Sequence, residues 1–178
     1  MGKTCFPLST VYGLIEPGPV VLITTAHQGR SNIMTQSWHT MMEFEPPLIG
    51  CVISDRNYSF GLLEESKECV INIPTVELAE KVVGCGNMSG ANMNKFEKFS
   101  LTPKPADEVG APLIEECFAN LECQVIDTTM VSRYCFFVVE VIKAWIDPAM
   151  KNPRTMHHFG RGNFMVAGDH FKLTSRMK

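Results

Sequence analysis

Apolar and polar positions along the chain predict strands far more often than helices. Residues 20–25 are mostly β-branched and follow a Pro-Gly-Pro breaker, and the nearly continuous apolar run 48–53 follows a pair of prolines. Such a short run, bounded by breakers, is typical of a strand buried on both faces. Residues 27–30 have the composition of a turn, which predicts that residues 32–40 pair back on the first strand as a hairpin.

Four more strands and two short helices are predicted downstream. The strands cover residues 69–73, 119–125, 134–146 and 164–167. Apolar and polar residues alternate along 119–125, the period-two pattern of a half-exposed strand. One helix begins after Asn57, which is a good capping residue, and runs through Ser66; a second begins at Pro74-Thr75.

Helices are too few and too short for the chain to form a doubly wound parallel sheet. The pattern favours a mainly β protein, a closed antiparallel barrel with a few short peripheral helices. Residues 1–178 form one domain, because this length suits a single core and neither a repeat nor a linker interrupts it. The glycine-rich segment 84–90 follows a helical pattern, whereas a dinucleotide fingerprint follows a strand.

Composition narrows the functional classes. The net charge of −3 gives no basic surface for nucleic acid. No apolar run reaches the roughly eighteen residues of a membrane span, and the first ten residues have no secretory signal core. Seven cysteines, an odd number without a CxxC pair, predict reduced core thiols rather than a zinc site or disulfides. We therefore expect a cytoplasmic protein without a nucleic-acid or membrane partner.

Adjacent histidines at 157 and 158 raise the question of a metal site. Side chains of neighbouring residues on a strand point to opposite faces, so the two do not readily share one metal, and no metal site is predicted. Two alternatives remain for these residues. One of them lines a ligand pocket with Phe159 or Phe164, or both lie in a surface loop.

A polar strand-like run, Asn32 to Trp38, is the first of three segments suited to a planar, phosphorylated ligand. Period two puts Thr35 and Ser37 on one face, where hydroxyls and backbone N–H groups can hold a polar ring edge or a phosphate. Trp38 offers a surface for stacking. A polar strand face with one core tryptophan explains the same pattern without a ligand.

The other two segments offer sites for an anion. Residues 54–59 join a buried strand to a helix start, where free N–H groups, hydroxyls and Arg56 can bind a phosphate. Residues 89–96 supply Lys95 as a point charge, with Phe96 as the anchor of its helix in the core. Capping of the helix by Asn57 or Ser59, and an ordinary surface lysine, are the competing explanations.

Together, these segments and their order resemble the flavin reductase-like family that includes flavoredoxin, over roughly residues 10–170. The matching stretches are Gly18-Pro19-Val20-Val21-Leu22, Asn32-Ile33-Met34-Thr35 with Trp38, Pro46-Pro47-Leu48, Tyr58-Ser59, Val70-Ile71-Asn72-Ile73-Pro74, Ser89-Gly90 to Lys95-Phe96, and Leu101-Thr102. The resemblance implies a split antiparallel (Greek-key) β-barrel that binds FMN at the interface of a homodimer.

The resemblance also implies which residues surround the cofactor. Asn32, Thr35 and Trp38 lie against the flavin, backbone groups from Met34 to Ser37 hold its ring edge, and Ser54, Asn57, Ser59 and Lys95 surround the phosphate or ribityl chain. The predicted cofactor-binding residues are Asn32, Met34, Thr35, Gln36, Ser37, Trp38, Ser54, Arg56, Asn57, Ser59 and Lys95. The chain departs from the family at Ala91-Asn92, where relatives often have Arg-Asp, and at Tyr134, the match to a histidine on the long late strand.

The implied function is that of an FMN-dependent oxidoreductase. Hydride passes from NADH or NADPH to bound FMN, and electrons go on to free flavin, ferric iron or a redox protein. The cofactor performs this chemistry, so no catalytic residue is predicted. The alternatives are an FMN-binding electron-transfer protein of flavoredoxin type without its own nicotinamide site, and a barrel that uses the same pocket for another ligand.

Overall fold

Most of the described chain forms antiparallel strands, as the pattern predicts. The computed structural model describes Pro7, Leu14 and residues 18–174, so the expectation about the first ten residues and the thiol of Cys5 lie largely outside the described part. The strands are β1 Val21–His27, β2 Arg30–Gln36, β3 His39–Glu43, β4 Leu48–Val52, β5 Glu68–Ile73, β6 Pro103–Lys104, β7 Leu113–Ile114, β8 Ala119–Asp127, β9 Phe136–Ile146, β10 Met156–Gly160 and β11 Asn163–Val166.

Seven strands form the main sheet, in the order β2-β1-β5-β8-β9-β4-β3. Because β4 pairs with β9 and not with β5, the connections cross in the manner of a Greek key. The remaining strands form two antiparallel pairs, β6 with β7 and β10 with β11. The hairpin predicted at residues 27–30 is confirmed. Gln28 and Gly29 have φ of 48° and 74°, as a two-residue type I′ turn requires.

The two edge strands of the main sheet, β2 and β3, are consecutive in the chain. Only Ser37 and Trp38 separate them, and such a link spans about 10 Å at most, so the edges must meet and the sheet must curl. Gln36 Nε2 bridges this corner by donating to the carbonyl oxygens of Trp38 (3.0 Å) and Val52 (3.1 Å). The predicted barrel is confirmed, but the single strand predicted over 32–40 is wrong, because the chain changes sheet edge at this corner.

The helices are short and lie around the sheet. They are α1 Tyr58–Ser66, α2 Ala79–Asn87, α3 Lys95–Lys98 and α4 Val131–Tyr134, with a 3₁₀ turn at Val76–Leu78 before α2. The strand predicted to begin at residue 134 begins at 136, because Cys135 ends α4 with a left-handed φ of 53°. Tyr134 therefore lies on an exposed helix and not on the long late strand. No helix in the described part is long and apolar enough to cross a membrane.

Two apolar clusters lie on opposite sides of β1. Val21 and Ile23 face the barrel interior, where Leu63 of α1 packs against them, and Leu22 faces a second cluster under α2 and α3. Both faces of β1 are thus buried, as its β-branched sequence suggests. The six described cysteines are free thiols, five of them buried and Cys135 partly so, which agrees with the prediction of core thiols.

Candidate functional site

A cavity of about 220 Å³ opens between β2, the start of α1 and the end of α2. Its lining residues are Asn32, Met34, Thr35, Arg56, Asn57, Tyr58, Ser59, Cys85, Gly86, Asn87, Met88, Ser89, Gly90 and Lys95. We call it the first cavity. It brings together seven of the eleven predicted cofactor-binding residues, from all three polar segments of the sequence.

Asn32 is buried in the wall of this cavity, with only 3% of its surface exposed. Its Nδ2 donates to Ser59 Oγ at 2.9 Å, which joins β2 to the first turn of α1. Its Oδ1 is buried and accepts no hydrogen bond from the described residues. Gly90 lies directly against this oxygen, so that a Cβ at position 90 would overlap it. Asn32 Oδ1 is therefore an acceptor that a bound ligand can satisfy.

Lys95, 4% exposed, sits behind the same wall. Its Nζ donates to the carbonyl oxygens of Ile33 and Cys85, each at 2.7 Å, and so ties β2 to α2. Burial lowers the pKa of this ammonium. Two of its three N–H donors are used in this way, and one is left for the cavity. Lys95 is thus a structural tie as well as a cavity residue, and not the surface lysine of the competing explanation. Phe96 is buried as predicted.

The first turn of α1 has no side-chain cap. Asn57 has the extended backbone of an N-cap residue, but its side chain forms no capping hydrogen bond. An uncapped helix start with free N–H groups favours an anion. Arg56 lines the cavity beside it, and its backbone N and Nε lie 3.3 and 3.4 Å from Ser54 Oγ. Ser54 does not line the cavity; it contacts Arg56 instead.

A second cavity, of about 330 Å³, adjoins the first and shares Thr35, Gly86 and Asn87 with it. Its other lining residues are Val20, Gln36, Ser37, Val83, His158, Arg161, Gly162 and Phe164. Thr35 Oγ1 donates to Val82 O at 2.6 Å, and Gly86 allows α2 to approach, since a Cβ there would lie 3.3 Å from Thr35 Cβ.

Gln36 has the same role in the second cavity as Asn32 has in the first: it is a buried amide whose oxygen accepts no hydrogen bond from the described residues. It is 7% exposed, and its Nε2 is engaged at the barrel corner. Its Oε1 is buried and has no partner among the described residues. Each cavity thus has one buried oxygen acceptor without a partner, and both acceptors come from β2.

The β10–β11 hairpin forms the far wall of the second cavity. His158 lines the cavity, and its ring lies 4.7 Å from that of Phe164, tilted by 32°. His157 does not line this cavity; its electrostatic effect instead reaches His39, whose pKa it helps to lower. The Nε2–H of His39 donates to Pro19 O at 2.8 Å, and burial lowers the His39 pKa.

Trp38 lines neither cavity. Its side chain is 56% exposed, and Met41 and Met42 of β3 and the following Phe44 are exposed as well. Sequence reasoning missed Gly86 and Asn87 at the end of α2, and it missed Arg161 in the late hairpin. The Gly-Arg-Gly turn between two short strands was the available signal for the last of these.

No cluster of three or more potential metal ligands occurs in the described part of the chain.

Comparisons with known proteins agree with this geometry. Residues 14–165 match the flavin reductase like domain. An uncharacterized protein of Archaeoglobus fulgidus is 37% identical over 123 residues, which cover 69% of this chain and 70% of that protein. The FMN-binding domain of a flavin reductases-like enzyme from Shewanella baltica superposes with a TM-score of 0.81 at 27% identity, covering 96% of this chain and 97% of that one. Flavoredoxin of Desulfovibrio vulgaris shares the fold, with a TM-score of 0.86 at 22% identity, covering 99% and 98%.

Proposed function

The chain belongs to the flavin reductase-like family, and from that premise we propose that it binds FMN in its two adjoining cavities and acts as an oxidoreductase. Hydride comes from NADH or NADPH, and electrons leave to free flavin, ferric iron or a redox protein. FMN, when bound, would supply the redox chemistry. The residues of the chain bind and orient the cofactor and keep water from its ring.

The observation that carries this proposal is the pair of buried acceptors on β2. Asn32 Oδ1 and Gln36 Oε1 have no partner in the described structure, and each borders a different cavity. Four residues of a strand separate their Cα atoms by about 13 Å. A buried acceptor without a partner costs about 1–3 kcal/mol, so an elongated ligand with donors along its length would stabilise both ends. FMN has such donors in its ribityl hydroxyls and its ring N–H.

The charge of the first cavity supports a phosphate at one end. Arg56 and Lys95 are the ionised lining residues, and no acidic residue of the described chain lines the cavity, although the chain as a whole is acidic. The uncapped start of α1 adds backbone N–H donors to these two cations. Arg56, Asn57 and Ser59 would hold the phosphate, and Asn32 and Thr35 would lie along the ribityl chain. Gln36 and Ser37 would hold the ring edge.

An FMN electron carrier is the second candidate. The second cavity, at about 330 Å³, is near the small end of ligand pockets, which is little room for a nicotinamide dinucleotide. In this case FMN exchanges electrons with a redox protein and needs no nicotinamide site.

Anaerobic titration of the FMN-loaded protein with NADH and NADPH separates the two candidates. Bleaching of the visible flavin band by either nucleotide supports the reductase. If dithionite bleaches the band and neither nucleotide does, the result supports the FMN electron carrier and contradicts the reductase. A matched variant, Arg56→Gln, should bind FMN more weakly and should leave the reduction of FMN that remains bound unchanged.

We also propose a homodimer, supported by an exposed apolar surface on the β3 edge. Trp38, Met41, Met42 and Phe44 are between 50% and 77% exposed. Exposed large apolar side chains close together in sequence are consistent with an interface between two chains. Sedimentation should give a mass of twice 19.9 kDa, and Phe44→Glu should shift it toward the monomer.

The six free thiols favour a reducing compartment, the cytoplasm, for this protein.

A further inference from the structure

The turn of the β10–β11 hairpin places an arginine in a strained position at the second cavity. Gly160, Arg161 and Gly162 have successive φ values of 92°, 51° and 75°. Glycine adopts this left-handed region freely, whereas a residue with a Cβ does so at a cost in free energy. The turn itself requires no long cationic side chain at its centre, and such outliers tend to occur at functional sites.

Charge around the cavity points to an anion. Arg161 lines it, and none of its lining residues in the described chain is acidic. Within residues 18–174, Arg161 takes part in no ion pair. Its guanidinium therefore stays available to a ligand, in a protein whose net charge of −3 gives no general attraction for anions.

The remaining walls suit a flat ring. His158 and Phe164 present two nearly stacked rings 4.7 Å apart on the hairpin side. Val20 and Val83 are the other apolar side chains of the lining. Such a combination of apolar walls with one placed charge is typical of a small-molecule site.

We propose that the hairpin side of the second cavity selects a small aromatic substrate that carries a carboxylate, next to the flavin edge that Gln36 and Ser37 would hold. The fork of the Arg161 guanidinium pairs with the carboxylate, and Phe164 and His158 pack against the ring. The proposal rests on the proposed function, because it places this substrate beside the FMN-binding strand β2. A carboxylate matches the two parallel N–H groups of one arginine.

Benzoate and its neutral analogue benzamide serve as the probes. Their dissociation constants are measured by calorimetry on the FMN-treated protein, after FMN uptake has been quantified by its visible spectrum. The variants are Arg161→Gln, Arg161→Lys and, as a matched control, Arg154→Gln, an exposed arginine outside this cavity. NADH and NADPH are titrated in parallel, because their phosphates are another source of negative charge.

Benzoate should bind about tenfold or more tightly than benzamide, the usual strength of one charged pair. Arg161→Gln should abolish this preference, Arg161→Lys should retain part of it, and Arg154→Gln should leave it unchanged. Equal affinity for the two probes, or a benzoate preference that survives Arg161→Gln, overturns the proposal. If Arg161→Gln weakens the binding of NADPH and leaves the binding of benzoate unchanged, the proposal is also overturned. Failure of FMN uptake would contradict the proposed function instead, and calorimetry would still show whether Arg161 selects benzoate.

Discussion

Asn32 and Ser59 join the barrel to α1 through one hydrogen bond, from Nδ2 to Oγ at 2.9 Å, and with the amide in this orientation its oxygen has no partner among the described residues. The orientation makes sense if the oxygen serves a ligand. A purely structural asparagine would be satisfied on both sides, as Asn72 is. Its Nδ2 donates to Leu22 O at 3.0 Å, and its Oδ1 accepts from Ile114 N at 2.9 Å.

Replacement of Asn32 by leucine, of similar size, tests this contrast. The substitution removes a buried acceptor that is unsatisfied without ligand, and it also removes the hydrogen bond to Ser59. These two changes act on stability in opposite directions, so the unfolding free energy of the apoprotein should change by less than about 1 kcal/mol. FMN affinity should fall by about tenfold. Chemical denaturation and fluorescence titration with FMN measure the two quantities.

Asn72→Leu is the control for that experiment. It removes the donors and acceptors of a satisfied network that also includes Asn120, whose Nδ2 lies 2.7 Å from Asn72 Oδ1. We expect a stability loss of about 3 kcal/mol or more, since several buried groups lose partners. Equal destabilisation by the two substitutions, with unchanged FMN affinity of the Asn32 variant, would make Asn32 structural.

Gly90→Ala should weaken FMN binding, because the new methyl group overlaps Asn32 Oδ1 and displaces either the loop or the amide. Gly61, in the middle of α1, has open space around its Cβ position. Gly61→Ala should therefore stabilise the protein by about 0.5–1 kcal/mol and leave FMN binding as it is. Equilibrium dialysis with FMN compares the two variants, and a Gly90 variant with wild-type affinity would remove the loop from the site.

Lys95→Met should lower the unfolding free energy by about 2–3 kcal/mol, because two buried carbonyl groups lose a charged donor. The variant also loses one cation of the first cavity, so FMN should bind more weakly than to the wild type. Lys98→Met, on the exposed side of the same short helix, should change neither quantity. Urea unfolding measures the stability of both variants. Equal midpoints for Lys95→Met and Lys98→Met would show that the hydrogen bonds of Lys95 between β2 and α2 contribute little to stability.

The stability of the protein should fall as the pH drops below neutrality, through His39. Burial lowers the pKa of the folded imidazole, with the charge of His157 acting in the same direction, whereas the unfolded chain titrates near its ordinary value of about 6.5. Below that value the unfolded state binds more protons, so the unfolding free energy declines until the pH reaches the lower, folded pKa. The stability is fully retained above the ordinary pKa.

His39→Gln should remove that part of the pH dependence and keep a donor for Pro19 O. Urea midpoints at several pH values from about 8 to 5 measure the slope, with His170→Gln as the exposed control. An unchanged slope in the His39 variant would mean that other groups are responsible.

Local signals in the sequence were sufficient for most of the fold. Breakers and β-branched runs mark β1 and β4, and the positive-φ turn at Gln28-Gly29 fixes β2 as the neighbour of β1. The change of sheet edge at Ser37-Trp38 was not predictable, because both sides of the corner have strand-like sequences. That corner is also why Trp38, a plausible stacking residue by composition, is exposed at the surface.

The candidate site was predictable where its residues are close in sequence. Asn32, Thr35 and Gln36 belong to one polar run, and the structure keeps them together on β2. Lys95 was recognised, but its carbonyl partners lie up to 62 residues away and have no local signature. Arg161 reaches the second cavity only because a separate hairpin folds over it, which depends on tertiary packing that a pattern of positions does not reveal.

Equilibrium dialysis of the purified protein against FMN and against riboflavin tests the central claim most directly. The account predicts one FMN per chain, with riboflavin bound at least tenfold more weakly because it lacks the phosphate that the α1 start and Arg56 are placed to hold. No FMN uptake, or equal affinity for the two flavins, would contradict it.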